Sequence, residues 1–409
     1  MTSATVIPRP AALTGRVVAP DLARGVMLLF IAVANAPFYL WGQPSGLTSA
    51  HPPGATGLDL VWQTISIIAI DGRSYPMFAF LFGYGIWQLY RRQAEQGVDQ
   101  ATARRLLRKR HLWMIAFGAV HALLLWMGDV VGAYGLAGLI LAAIFLDRRD
   151  FALKLTAGVL AALTALWALS ALAAGLLLPA VLPPGAFSMP GGEDVDFLRL
   201  TQAEDNYLIA AALRIGLWIG VTTAQLLGFI IPIAILIALV AARSGVLEQP
   251  ENHLPLLRRV AVGGIAIAWG TGIVAALQNA GVLLPDEYGW AWLGLNTLAG
   301  LCGGLGYVAV FGVIAARVRS RPAGVVRGTL QALGKRSLSG YLAQSVVFAP
   351  LMSAWGLGLG THLSSWSITV IAVATWLVTV VLAALLERAG KRGPAEWALR
   401  RLVYPKAAS

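Results

Sequence analysis

Ten stretches of this chain are apolar over about 20 residues or more, the length that carries a helix across a bilayer. They lie at 22–41, 58–91, 111–128, 130–146, 152–181, 207–242, 258–283, 291–316, 337–356 and 365–388. An ordinary water-soluble domain cannot hide that much apolar surface. Of the 409 residues, 58% are apolar and only 12% are charged, about half the usual charged share. The sequence therefore predicts an all-α fold, a polytopic transmembrane helical bundle of about ten spans forming one integral membrane domain over 1–409. Two stretches exceed a straight crossing. The first, 58–91, is interrupted by Asp71-Gly72-Arg73-Ser74-Tyr75-Pro76, and 207–242 contains Arg214 and Pro232. Each is read as one crossing joined to a re-entrant or interfacial piece, with two helices as the alternative. The stretches at 111–128 and 130–146 meet at Gly128-Asp129, which predicts a helical hairpin.

The charges orient the bundle. The formal net charge is +12, an excess that in a soluble protein would point to nucleic acid. With ten crossings and a cytoplasmic N-terminus, 28 of the 31 basic residues fall at inner segments and inner span ends, as short cytoplasmic loops require. The exceptions are Arg73, Arg199 and Arg214, while Glu193, Asp194, Asp196, Glu204, Asp205, Asp286 and Glu287 mark the outer loops. The excess is thus a topology signal, and no nucleic-acid partner is expected. Residues 1–20 and 389–409 become cytoplasmic tails and 182–206 an extracytoplasmic loop. The N-terminal segment lacks a charged region followed by a short apolar core and a small-residue cleavage site, so no removed signal peptide is expected. The location that follows is that of a multi-pass integral membrane protein. The single cysteine, Cys302, excludes an internal disulfide, and the few histidines with no HExxH motif make a metal site unexpected.

Polar groups inside hydrocarbon are costly, so each is a candidate for function. At the inner mouth of the first span stand Asp21 and Arg24, which also read as a helix cap and a snorkelling cation, and Asn35 follows three turns on. Asp71 and Arg73 break an apolar run, as backbone lining a polar cavity does, or as an outer-leaflet turn would. His121 lies ten positions into the third span, with Trp126, Asp129 and Tyr134 following. An imidazole beside a buried carboxylate can act as a general base or a transient acyl acceptor. Eight residues of straight helix would leave Asp129 about 12 Å from His121, so the pair forms only if the hairpin folds back. His51, His111, His253 and His362 fall in loops or rims and are assigned no chemistry. Lys335 and Arg336 sit at an inner helix start, where cations oppose the helix dipole; a bound phosphate would relieve the conflict, and plain cytoplasmic positive charge is the alternative. Tyr341, Gln344 and Ser345 continue that polar face inward.

Five blocks in order resemble the YeiB-like bacterial membrane proteins, defined by domain of unknown function 418. They are Asp21-Leu-Ala-Arg24-Gly25 with Asn35, Phe78 to Gly85 with Arg91, Gly118 to Tyr134 with His121 and Asp129, Gly334 to Ser345, and Gly393 to Arg400. That family is similar to a wider superfamily of transmembrane acyltransferases, including sugar O-acyltransferases and the lysosomal heparan glucosaminide N-acetyltransferase. The resemblance implies transfer of an acyl group from cytosolic acyl-coenzyme A to a hydroxyl or amine on the far side. O-acyltransferases commonly carry a histidine in the first span after an arginine-glycine pair, where this chain has Asn35, so His121 is the substitute. The expected catalytic pair is His121 and Asp129. Arg24, Arg108, Arg110, Lys335 and Arg336 would hold the acyl-coenzyme A. Asn35, Asp71, Arg73, Tyr134, Tyr341 and Gln344 would line the substrate site. The expected partners are the bilayer and a small-molecule, lipid or glycan acceptor, with a homo-oligomer left open. The alternative function is a transporter or binding protein for an amphipathic or anionic molecule or lipid, which builds midplane sites from the same broken helices.

Overall fold

A computed structural model describes residues 17–46, 49–182, 196–197, 199–284 and 286–404. The side chains of Asp286 and Glu287, and Glu193 and Asp194 in the expected outer loop, lie outside the described residues. So do most of the expected N-terminal tail and the last residues of the C-terminal one.

Every described element is helical, as expected for the class. The α-helices are α1 (Val18–Asn35), α2 (Gly57–Ala69), α3 (Ser74–Glu95), α4 (Gln100–Leu124), α5 (Val131–Phe145), α6 (Asp150–Leu177), α7 (Leu200–Ala203) and α8 (Tyr207–Leu227). They continue as α9 (Ile230–Arg243), α10 (Leu254–Asn279), α11 (Leu293–Val318), α12 (Val325–Gly334), α13 (Ser337–Met352), α14 (Ser365–Arg388) and α15 (Pro394–Val403). Among the described residues, seven helical stretches are long and apolar enough to cross a membrane, the α2–α3 pair counting as one. Their outward faces carry the surface a bilayer demands. On α6 alone Phe151, Leu155, Val159, Leu163, Leu166 and Trp167 are exposed, and Val262 of α10 is 72% exposed. This is a membrane protein.

Both overlong stretches divide into two helices. In 58–91 the chain turns at 70–73, where Gly72 takes a left-handed φ of 75°, and α3 starts afresh at Ser74. In 207–242 the break is at Gly228-Phe229. Phe229 is the one non-glycine residue with positive φ among those described, at 63°. Pro232 then falls in the first turn of α9, where its missing N–H costs no helical hydrogen bond.

The core forms around α9. Ile230, Ile231, Ile233, Ala234, Ile235, Leu236, Ala238 and Leu239 are all buried, so this short helix is covered on every side. It lies against α3, where Gly83 permits the contact: a methyl there would stand 2.9 Å from the Ile235 Cα. Helices α10 and α11 pair along their length, as do α4 and α5. Capping fixes several starts: Asp99 accepts the Thr102 amide at 2.9 Å to open α4, and Asn206 accepts the Leu208 amide at 3.0 Å to open α8.

Candidate functional site: two chambers and two histidine–aspartate pairs

The α4–α5 hairpin folds back sharply enough to bring Asp129 onto His121. Helix α4 ends at Leu124, and the amides of Leu125 and Trp126 both donate to the His121 carbonyl, at 2.8 and 3.1 Å. The imidazole Nδ1 meets Asp129 Oδ1 at 2.8 Å, and Asp129 Oδ2 accepts the Gly132 amide at 2.7 Å. Both residues are buried. A glycine makes the approach possible: a methyl at Gly118 would lie 2.4 Å from both Asp129 Oδ2 and the Gly132 nitrogen. Because the ionised carboxylate only accepts, Nδ1 carries the proton and Nε2 offers a lone pair. That Nε2 is buried and has no hydrogen-bond partner among the described residues.

One aromatic ring packs on this imidazole, and others pack nearby. Tyr341 lies edge-on to His121 with centroids 5.4 Å apart, and its hydroxyl accepts the Val130 amide at 3.3 Å. The Tyr134 hydroxyl donates to the Tyr75 carbonyl at 2.8 Å, and Phe78 packs edge-on to Tyr134 at 4.8 Å. Gln344 donates to the Leu28 carbonyl at 2.8 Å, tying α13 to α1.

These groups form a partition between two chambers. On the acidic side of the bundle is a cavity of about 440 Å³, lined among others by Asn35, His51, Asp71, Tyr75, Trp126, Gln225 and Asn296. On the basic side is a chamber of about 210 Å³, lined by Arg24, Phe78, Arg92, Arg110, Lys335 and Glu396. The partition is thin. Val130 lines the first chamber and Val131 the second, and Tyr75 and Phe78, about 4.5 Å apart along the helix axis, do the same on α3.

The larger cavity holds a second histidine–aspartate pair. His51 Nε2 meets Asp71 Oδ2 at 3.0 Å, and the Ser66 hydroxyl donates to Asp71 Oδ1 at 2.9 Å. His51 is 2% exposed, and its Nδ1 has no partner among the described residues. The indole N–H of Trp126, the Gln225 Oε1 and the Asn296 Oδ1 are likewise buried and without a partner there. Four unsatisfied polar atoms around one cavity are the signature of a missing polar ligand or water. The loop carrying His51 is tied down by Arg199, which donates to the Gln43 carbonyl and, at 2.6 Å, to the Ala50 carbonyl.

Sequence reasoning assigned His51 no chemistry, and only the tertiary contact across α2 reveals it. The same contact separates Asp71 from Arg73. Arg73 is fully buried on the other side of the turn, donating to the Asp71 and Ala268 carbonyls, the latter at 2.6 Å, in a slot that Gly272 and Gly303 leave open. Arg214 also works as a clamp: it donates to the Leu123 carbonyl at 3.1 Å between the rings of Tyr207 and Trp355.

The expected coenzyme-binding cations divide as well. Arg24, Arg110 and Lys335 line the basic chamber. Arg24 is held by the Leu81 carbonyl at 2.9 Å and Asp21 at 3.3 Å, and Lys335 by Glu387 at 2.6 Å. Arg110 lies over the Phe82 ring, with Nη1 buried and without a partner among the described residues. Arg108 lies outside this chamber, in a separate groove between α4 and α5. Arg336 is buried and occupied by Glu387 at 2.7 Å and by the Ala332 and Lys391 carbonyls. The start of α13, where the sequence calls for a bound anion, is met by a carboxylate of the chain itself. Glu396 of α15 accepts the Leu338 amide at 2.8 Å and the Ser339 amide at 3.2 Å.

Residues 241–406 match the family described as "Protein of unknown function (DUF418)". Over 93% of its length the chain is 25% identical to "Uncharacterized protein YeiB" of Escherichia coli (strain K12), covering 94% of that protein. The chain is similar to this YeiB-like family. A Bacillus subtilis (strain 168) relative, "Uncharacterized protein YxaH", is 24% identical over 82% of the chain and 80% of its own length. The YeiB-like likeness therefore runs through both chambers, although the matched domain begins only at the end of α9.

Proposed function

We propose that the protein transfers an acyl group from cytosolic acyl-coenzyme A, held in the basic chamber, to a hydroxyl or amine acceptor in the larger cavity. The observation that carries this reading is the back-to-back placement of a basic chamber and a histidine-bearing cavity across a partition about one helical turn thick. Arg24, Arg92, Arg110 and Lys335 supply positive charge suited to the coenzyme's phosphates. At about 440 Å³ the cavity opposite is in the size range of small-molecule sites.

In this reading the general base is His51, in place of the His121 expected from sequence. Asp71 holds the proton on Nε2, which leaves Nδ1, without a partner among the described residues, as the lone-pair nitrogen of a histidine that lines the cavity. Nδ1 takes the acceptor's proton as the acceptor oxygen or nitrogen bonds to the acyl carbon. The carbon–sulfur bond breaks, and the proton passes to the leaving sulfur. His121, clamped by Asp129 and flanked by Tyr341, stands in the partition the thioester must reach through. Trp126, Gln225 and Asn296 remain to bind the acceptor's polar atoms.

The test is thermal stability of the purified protein titrated with acetyl- and palmitoyl-coenzyme A. A ligand at about 100 times its dissociation constant adds about 2.7 kcal/mol, which an unfolding transition registers. The expected result is stabilisation by the thioesters that Arg110→Gln weakens. Stabilisation by neither thioester, or an equal effect from unrelated polyanions, overturns the reading. Uptake of an anionic amphiphile into vesicles without thioester cleavage would instead favour a transporter.

A further inference from the structure

The groove that takes Arg108 away from the basic chamber has a composition of its own. It encloses about 280 Å³ between the first half of α4 and the end of α5. From α4 come Arg104, Arg105, Arg108 and His111, spaced so that they share one helical face; from α5 and its end come the apolar Leu139, Ala142, Ala143 and Leu146. Arg104 is paired with Asp147. Arg105 and Arg108 are exposed and have no carboxylate partner among the described residues. At the floor lies His111, fully buried, with neither ring nitrogen hydrogen-bonded among the described residues. An imidazole always carries at least one N–H, so this is a donor with no acceptor, in a groove that also offers two guanidinium groups.

We propose that this groove binds an anionic phospholipid of the leaflet facing the basic end of the bundle. The phosphate would take the N–H donors of Arg105, Arg108 and His111, and an acyl chain would lie along the apolar residues of α5. Two features favour a lipid over a soluble anion. The wall opposite the arginines is apolar, and next to it Ile140 and Ile144 of α5 are exposed on the surface that faces hydrocarbon. Basic pockets between helices at the cytoplasmic surface are the recognised form of such sites. The inference is independent of acyl transfer.

The experiment is native mass spectrometry of the full chain titrated with phosphatidylglycerol and, separately, phosphatidylcholine. Wild-type protein is expected to retain phosphatidylglycerol in preference. The double variant Arg105→Gln/Arg108→Gln should bind it about thirtyfold more weakly, since each cation near an anionic headgroup contributes about a factor of five. Lys109→Gln, which removes a neighbouring charge outside the groove, should leave binding unchanged. Ala143→Phe, which fills the groove without altering charge, should also weaken it. All four positions are exposed, so the variants keep the fold. Equal retention of phosphatidylcholine, equal loss in Lys109→Gln, or full competition by glycerol phosphate or acetyl-coenzyme A would overturn the proposal.

Discussion

His121–Asp129 and His51–Asp71 pair the same side chains at nearly the same distance, 2.8 and 3.0 Å, in opposite surroundings. Asp129 is wholly buried and spends its second oxygen on the Gly132 backbone, while its histidine is buried with Tyr341 edge-on to it. Asp71 is 24% exposed at the side chain, and both it and its histidine line a cavity. A histidine–aspartate pair is therefore not in itself a site. The first locks a hairpin and holds a partition, and the second has room for a reactant.

The two pairs should part most clearly in stability. Asp129→Ala strips a buried imidazole and a buried amide of their acceptor, and should cost about 3 kcal/mol or more. Asp71→Ala should cost roughly half of that, since the cavity lets water reach the exposed groups. Chemical denaturation in detergent measures both, and equal losses would break the contrast. Gly118→Ala comes next. Its methyl would meet the Gly132 backbone, which cannot step aside as a flexible side chain would, and overpacking of this kind costs about 1–3 kcal/mol. A wild-type melting temperature in Gly118→Ala would show that the hairpin is looser than described. Smallest is Ser66→Ala, which removes one hydrogen bond to Asp71 and should cost about 1 kcal/mol. Its effect should vanish in an Asp71→Ala background, a coupling that a double-mutant cycle reads directly.

The first pair was half legible in the sequence. Gly128-Asp129 signals a tight connection, and eight residues is a span that a hairpin closes, so the contact waited only on the fold-back. The second pair left no such signal. His51 sits in an aperiodic loop, and Asp71 lies beyond the whole of α2, so their meeting depends on where that helix packs. Distance along the chain hid the partners of the basic residues in the same way. Lys335 and Arg336 advertise an anion, but nothing local says that Glu387 and Glu396 return to supply it. Apolar length marked the long helices well, because a lipid-facing surface imposes it, whereas the short α9 is apolar because other helices cover it. The breaks were harder: Asp71-Gly72-Arg73 is a visible interruption, whereas the Gly228-Phe229 kink rests on a phenylalanine in a conformation that sequence pattern does not suggest.

The contrast between the pairs becomes functional in one assay: release of coenzyme A thiol from acetyl-coenzyme A by the protein in proteoliposomes, supplied on the far side with bacterial lipid and glycan extract. His51→Ala should lower the rate by about a hundredfold or more, as loss of a general base does, while thioester binding by thermal shift and the folded state are retained. Undiminished thiol release in His51→Ala, with the wild-type protein active, would contradict the assignment of His51 as the base and return the chemistry to the partition around His121.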